Sequence, residues 1–450
     1  MDNIIKLRKG LDIKLKGKAE QRTDIVTSDG YYALQPADFV GIVPKVVVKE
    51  GDIVKAGEAL FVSKANPKVK FISPVSGTVT AVRRGERRKV LSVNVKADDI
   101  QTSVDFGKRD PKQMEGHEVV DYLLEAGLFG MIFQIPYAIS ANPDVLPKAI
   151  AVSALRDKPL AADFEYELKG QEEDFQTGLT ALSRIAKVYL GVGGHQTSNA
   201  LNVAKDVETA IFDGPCPAGN VGVQVNHLCP VNKGEVVWTV DPTVVLFIGR
   251  LFNTGKVNLK RTIALVGGMV KNPCYVEMIV GQELSTLLHG RVDETKHLRI
   301  IDGNVLTGKT TSIDGFLGAC SSEITVIPEG DDVDEAFGWI MPRFQQFSAN
   351  RSYFSWLMGK KKTYELDARV KGGERHMIMS EEYDKVFPMD IYPEYLIKAI
   401  LAGDIDRMEQ LGIYEVSPED FALAEFVCSS KMELQRIVRQ GLDMLIKENR

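Results

Sequence analysis

The octapeptide GNVLTGKT at 303–310 fits GxxxxGK(S/T), a loop whose backbone cradles phosphates while its lysine reaches their far end. Such a loop must leave a buried strand and open a helix. Here TSIDGFLGAC follows, with Gly315 and Gly318 and no helical period, and the loop interior holds Val305 and Leu306. A β-hairpin turning at Gly303 and Gly308 is the expectation, with 304–306 read as part of a strand. A second glycine run, GVGGHQ at 191–196, puts Gln196 where GxGxxG needs its third glycine, and reads as a structural turn. The third is GPCPAGNVGVQ at 214–224. Pro215 and Pro217 fix φ and remove amide donors, which argues against a phosphate nest. A rigid turn entering a helix and a ligand-shaped loop both fit this segment, and Gly214, Pro217, Gly219 and Gly222 are its candidate cofactor-binding residues.

Other chemistry is sparse. Five cysteines (216, 229, 274, 320 and 428) show no CxxC spacing, so neither an iron–sulfur cluster nor a zinc site is expected. A site from Cys216, His227 and Cys229 is conceivable, but inert buried thiols are the plainer reading. His117, His195, His227, His289, His297 and His376 are scattered, and no acid–base pair, nucleophile or metal cage stands out. No catalytic and no metal-binding residue is therefore assigned.

The elements that would position these residues follow from periodicity. Between 44 and 95, apolar and polar residues alternate at period two, punctuated by Gly51, Gly57, Gly77 and Gly85, as in a small sandwich of hairpins. From about 106 to 255 strand and helix alternate. Apolar strand runs at 149–155, 188–190, 210–212, 236–240 and 244–248 surround helical spacings at 119–127 and 175–186. That order favours a mostly parallel sheet, with any ligand at the carboxyl ends of its strands. Strand runs return at 262–266, 299–301 and 323–327. Ser417, Pro418 and Asp420 supply helix-start chemistry, and Leu434, Ile437, Val438, Leu442, Leu445 and Ile446 line one face of a final helix. In between, Trp339, Phe344, Phe347, Tyr353, Phe354, Trp356, Leu357 and Met358 crowd together ahead of Lys360, Lys361 and Lys362. A connector strapped over other domains would bury these aromatics. A docking surface would expose them, and Tyr353, Phe354 and Trp356 are its candidate partner-interface residues.

Length and charge bound the class. At 450 residues, about three domains are expected. Apolar residues make up 44% and charged residues 26%, an ordinary globular balance, and a net charge of −6 offers no general attraction to nucleic acid. Apolar runs fall short of the roughly 20 residues needed to span a bilayer, and charge at Lys6, Arg8 and Lys9 precludes a signal-peptide core.

The cadence EGDxVxxGxxL followed by SPVSGTV resembles the biotinyl/lipoyl-type domain, with Pro67 where a carrier lysine would swing. KGLD at 9–12, KEGD at 49–52, NPKVKFISPVSGTV at 66–79 and RGERR at 84–88 together resemble the A subunits of the bacterial sodium-translocating NADH:quinone reductases. PCPAGNVG at 215–222, GGERHM at 372–377 and a carboxyl region with the single Cys428 match the same pattern, although histidines are common in it where this chain has Cys216, Gln224 and Asn226. The resemblance implies a multidomain α+β chain: a biotinyl/lipoyl-like β-domain without carrier lysine (1–104), a Rossmann-like α/β domain (105–255), a ubiquitin-like β-grasp domain (256–330), a connector (331–387) and a helical domain (388–450). Distant relatives would be the Rnf complex and the flavin subunit of respiratory complex I. It further implies a peripheral protein on the cytoplasmic face of a bacterial inner membrane, in a six-subunit respiratory-chain complex that transports sodium. In such a complex this chain holds no tightly bound cofactor. Flavins, the iron centre and NADH belong to partner subunits, and a quinone such as ubiquinone is the substrate, bound by this chain or scaffolded by it. A stand-alone flavin- or nucleotide-dependent oxidoreductase is the alternative.

Overall fold

The computed structural model describes residues 3–331, 337, 340–359 and 361–449. Trp339 and Lys360, named above, lie outside the described residues.

Residues 31–97 form two small antiparallel sheets. One runs Tyr31–Leu34, Val90–Ala97, Gly77–Arg84, Ile53–Val54; the other runs Pro44–Val46, Ala59–Ser63, Lys70–Ile72. The period-two pattern buries one face of each: Val54, Leu60 and Val62 are buried, with Val46 and Val48 packed partly against them. The rings of Phe39 and Phe61 flank Phe71 at 4.3 and 4.8 Å, and Pro67 sits in the turn before Lys70–Ile72.

The central sheet has seven strands in the order Asn3–Lys6, Glu208–Asp213, Lys187–Gly193, Ala149–Ser153, Val237–Val240, Phe133–Ile135, Ile139–Ser140. The first five run parallel and the last two antiparallel. Its first strand comes from the amino terminus, and Glu20–Asp24 likewise joins a later sheet, beside Cys274–Ile279. Neither NIIK nor EQRTD carries an alternating pattern of its own, because each borrows its neighbours from a distant part of the chain.

One strand expectation is overturned. The apolar run 244–248 lies inside the helix Pro242–Thr254. Asp241 caps it by accepting from the Thr243 N–H at 2.9 Å, Pro242 occupies its first turn, and Gly255 ends it in the left-handed region. A helix buried on nearly all sides has no amphipathic period to announce it. It packs on Glu172–Ile185 at backbone distance: a Cβ on Gly249 would lie 1.7 Å from the Asp174 carbonyl oxygen, and one on Gly178 2.1 Å from that of Val245.

The third sheet runs Lys309–Thr311, Leu298–Asp302, Glu323–Pro328, Lys260–Val266, Cys274–Ile279, Glu20–Asp24. GNVLTGKT is a hairpin turn in it, since Leu298–Asp302 and Lys309–Thr311 pair antiparallel. The strand reading of 304–306 is also overturned. The Asn304 side chain accepts from the Leu306 and Thr307 N–H groups at 2.9 and 3.0 Å, folding these residues into the turn.

The carboxyl region is helical: Pro393–Ala402, Ile405–Gln410, Ala422–Val427 and Leu434–Glu448. Ser417 and Asp420 form the capping box, and Leu434, Ile437, Val438, Leu442 and Leu445 are buried in a cluster that includes Leu155, Phe212 of the central sheet and Val223 of the helix Val221–Leu228. Among the described residues, no helix is long and apolar enough to cross a membrane.

Candidate functional site

From Ala149–Ser153 the sheet grows to one side, through Lys187–Gly193 and then Glu208–Asp213, before the chain returns to the other side with Val237–Val240. At such a reversal the loops leave the sheet in opposite directions and open a crevice. A cavity of about 530 Å³ occupies it, bounded by Ser153 and 155–158 after one strand and by 239–242 at the end of the other. Three further parts of the chain close over it. They are Asp38 and Val40, the 302–309 turn with 320–323, and 417–419 with Gln435 and Arg439.

A buried ionic network forms its base. The Arg156 guanidinium donates to Glu167 at 2.8 Å, to the Thr243 hydroxyl at 2.9 Å and to Asp241 at 3.3 Å. The Thr243 hydroxyl in turn donates to Glu167 at 2.9 Å. Burial lowers the Arg156 pKa, but Asp241 and Glu167 outweigh it and hold the group above the ordinary arginine value. Lys158 reaches across to Glu419 of the carboxyl region, and Lys309 donates to the Ala37 carbonyl at 2.9 Å and to Asp38 at 3.0 Å.

Two carboxyls on these walls are incompletely satisfied. Asp302 is 8% exposed; one oxygen accepts from the Gly318 N–H at 3.0 Å, and Oδ1, itself buried, has no hydrogen-bond partner among the described residues. Burial first, with the Asp38 carboxylate adding, lifts its pKa to about 6 against the opposing Ser321, Gly318 and Lys309. Asp157 is built alike: Oδ2 accepts from the Gly219 N–H at 2.8 Å, and Oδ1, again buried, has no hydrogen-bond partner among the described residues. Burial raises its pKa too, opposed by that N–H and by Lys158.

The Asp302 shift fixes a pH dependence. A folded-state pKa raised above the usual 3.8 means the folded chain holds this proton more tightly than the unfolded chain. The stability it contributes is present below pH 4 and is lost as pH rises to 6, to a total of about 3 kcal/mol. Asp302→Asn should therefore raise Tm at pH 7.5 and leave it unchanged near pH 4, as read by calorimetric scans. A lower Tm at pH 7.5 would contradict this.

The walls are poorly suited to a phosphate. Six carboxyl side chains (38, 157, 241, 302, 323 and 419) face four cations (156, 158, 309 and 439), and Asp241 already occupies the amino end of Pro242–Thr254. Gln196 closes the other glycine turn, accepting from the Gly193 N–H at 2.7 Å and donating to the Ala154 carbonyl at 3.0 Å.

Of the four loop candidates, Gly219 lines the cavity; a Cβ there would lie 2.4 Å from the Leu155 carbonyl oxygen. Gly214 and Gly222 serve close approaches instead, the first to Leu7 and the second to Asp420, and Pro217 follows the buried Cys216 between them. Tyr353, Phe354 and Trp356 lie away from the cavity. Phe354 and Trp356 are 54% and 48% exposed and Tyr353 is half-buried. Phe347 of the same segment packs instead on Tyr364 and Phe426, at 5.6 and 6.0 Å. Asp157 and Asp302 escaped sequence reasoning, because nothing in LRDK or IIDG marks a carboxyl whose burial is set by three other parts of the chain.

Family models match three stretches: an NqrA N-terminal barrel-sandwich hybrid domain at 5–98, an NqrA second alpha/beta domain at 114–257 and an NQRA C-terminal domain at 262–312. Proteins named as the A subunit of Na(+)-translocating NADH-quinone reductase match end to end. Those of Neisseria meningitidis serogroup B and Haemophilus influenzae (strain PittGG) are each 35% identical over 451 residues, and that of Yersinia pestis is 35% identical over 450. Each match covers 99% of this chain and 100% of the relative. With identity at that level along the whole length, the chain belongs to the NqrA family, the A subunits of the Na(+)-translocating NADH-quinone reductases.

Proposed function

We propose that this chain is a peripheral subunit of a sodium-pumping NADH:quinone reductase and that it contributes to quinone binding in the four-walled cavity. The observation that carries this reading is the apolar surface of a cavity at the carboxyl ends of the parallel strands. Phe133, Ile135, Leu155 and Val240 supply apolar surface, and Asp302, whose pKa burial lifts to about 6, lies in the same walls. A quinone is a neutral, flat ring with two carbonyl acceptors, which a protonated carboxyl can meet as donor. A nucleotide or flavin phosphate would find each of the four lining cations already paired with a carboxylate, which disfavours the alternative of a stand-alone flavin- or nucleotide-dependent oxidoreductase.

In this reading NADH, the flavins and the iron centre sit on partner subunits, six subunits in all, and the chain docks on the cytoplasmic face of the membrane. Exposed Phe354 and Trp356, with Tyr353, are the proposed contact to an integral subunit, while Phe347 straps the segment to the carboxyl helices. The finer architecture belongs to the same proposal: a lipoyl-like β-unit, a Rossmann-like unit and a β-grasp unit within 1–104, 105–255 and 256–330, then a connector to 387 and a helical unit.

Isothermal titration of the purified chain with a short-chain, water-soluble quinone tests this. Saturable heat is expected with quinone and none with flavin mononucleotide or NADH. No heat with quinone would leave the chain as scaffold alone, and tight flavin mononucleotide binding would favour the alternative.

A further inference from the structure

The segment 340–359 reverses the usual order of polar outside and apolar inside. Its one helical turn, Phe354–Met358, buries Ser355 at 1% exposure and turns Phe354, Trp356, Leu357 and Met358 outward, each about half exposed. Ile340, Met341 and Phe344 stand out beside them, since the Phe354 N–H donates to the Pro342 carbonyl at 3.1 Å and the Phe344 and Phe354 rings lie 6.3 Å apart. The arrangement is held from beneath. Phe347 packs on Tyr364 and Phe426, and the Tyr364 hydroxyl donates to the Ser355 carbonyl at 3.4 Å. Burying a hydroxyl while exposing seven large apolar side chains costs stability in water and marks an interaction surface.

The charge of the same segment points to its partner. Between Glu335 and Glu365 the sequence holds no carboxyl side chain and five cations, Arg343, Arg351 and the lysines at 360–362, in a chain whose net charge is −6. Two of these cations lie against the patch. The Arg351 guanidinium stands 5.4 Å from the Trp356 ring centre, and the Lys362 ammonium donates to the Phe344 carbonyl at 2.6 Å. Protein interfaces are depleted in lysine, whereas apolar and aromatic side chains flanked by Lys and Arg are the composition of surfaces that lie in a bilayer interface. We infer that this segment rests in the headgroup layer of an anionic phospholipid bilayer, with Met341, Leu357 and Met358 toward the acyl chains and Arg351 and Lys361 at the phosphates. Long cationic side chains suit that place, because their heads stay at the phosphates while their stems cover apolar surface.

This lipid contact deepens the docking reading above. It rests on the placement of the segment at the membrane and not on the subunit contact itself: Phe354 and Trp356 meet the integral subunit, and the residues around them meet the lipid that surrounds it. A chain of net negative charge is repelled by an anionic bilayer over most of its surface, so a cationic patch also sets which face approaches. A second cationic stretch, RRGERRK at 83–89, exposes Arg87 and Arg88 at a hairpin tip. It includes Glu86, and Leu91 is its nearest exposed large apolar side chain in sequence. Lacking apolar company, that tip serves as the control.

The test is flotation of the purified full chain with vesicles of phosphatidylglycerol and phosphatidylcholine in equal parts, and with vesicles of phosphatidylcholine alone. Wild type should float with the mixed vesicles, less so as salt is added, and should stay behind with phosphatidylcholine alone. Arg351→Gln with Lys361→Gln should bind the mixed vesicles about 30-fold more weakly at an unchanged Tm. The charge-keeping pair Arg351→Lys with Lys361→Arg should bind as wild type does, and so should Arg87→Gln with Arg88→Gln. Leu357→Ser with Met358→Ser should lose binding, also at an unchanged Tm. No flotation of wild type with the mixed vesicles would overturn the lipid contact. Equal flotation with phosphatidylcholine alone would overturn it too, as would a loss in the Arg87, Arg88 variant in place of the Arg351, Lys361 variant. The two readings fail separately. Assembly lost in Phe354→Ser with Trp356→Ser, when wild type ignores vesicles, would keep the subunit contact and sink the lipid contact. Assembly intact in that variant, with vesicle binding lost in Arg351→Gln with Lys361→Gln, would do the reverse.

Discussion

Glu167→Ala should lower the stability of the folded chain by about 3–5 kcal/mol, a fall in Tm on the order of 10 °C for the unit that contains it. The Glu167 side chain is 1% exposed, and both its oxygens are used, one by Arg156 and the other by Thr243. Removing it strands a guanidinium that is itself mostly buried, with the more exposed Asp241 as its remaining carboxylate. The cost is the desolvation of an uncompensated charge, which exceeds the value of the lost bonds. The network also joins elements far apart in the chain. Arg156 follows a central strand, Glu167 sits on Phe164–Leu168, Asp241 and Thr243 begin a helix, and Arg261 of the third sheet ties Thr243 to the Ala319 carbonyl. Glu167→Gln keeps the acceptor for Thr243 and should lose less. A loss under 1 kcal/mol for Glu167→Ala, in denaturant melts, would show that Arg156 finds water or another partner.

The second large effect concerns assembly. Phe354→Ser with Trp356→Ser should abolish co-purification with the membrane subunits while shifting Tm by no more than about 2 °C. Both rings are about half exposed, so serine opens little cavity within this chain. Aromatic anchors at an interface commonly contribute 2 kcal/mol or more each, and together about 4 kcal/mol amounts to roughly a thousandfold in affinity. Phe347→Ser should behave oppositely, since that ring packs on Tyr364 and Phe426: Tm falls and assembly is reduced only as folding is. Equal Tm losses in both variants, with assembly intact in the double variant, would mean the exposed rings dock nowhere.

How much of this was legible beforehand depended on whether the signal was local. Alternation at 46–62 predicted the buried faces of the two small sheets, and Ser417–Asp420 predicted a cap, because each depends on residues within one turn of one another. The hairpin at 303–310 was legible from Gly303 and Gly308, although Asn304 folds more of it into the turn than its neighbours Val305 and Leu306 suggest. The run 244–248 misled because a helix buried on nearly all sides and a buried strand share one apolar alphabet. The cavity was legible only as a rule of topology, the carboxyl ends of a parallel sheet. Its chemistry was not, because the groups that act on Asp157 and Asp302 are Gly219, Gly318 and Asp38, up to 264 positions away in sequence. The loop at 214–222 drew attention for its glycines, yet most of them are small in order to let Leu7 and Asp420 approach.

Whether quinone enters the cavity decides the function, and a side chain placed in that space asks the question directly. Ala161 lines the cavity from the segment after Lys158 and is partly exposed to it, so tryptophan there would occupy the volume without displacing the buried core. Quinone-dependent turnover of the assembled complex carrying Ala161→Trp is the measurement. The prediction is at least a tenfold rise in KM for quinone, with complex assembly and NADH-to-ferricyanide transfer unchanged. Wild-type KM and kcat in a complex whose cavity is filled would contradict quinone binding there.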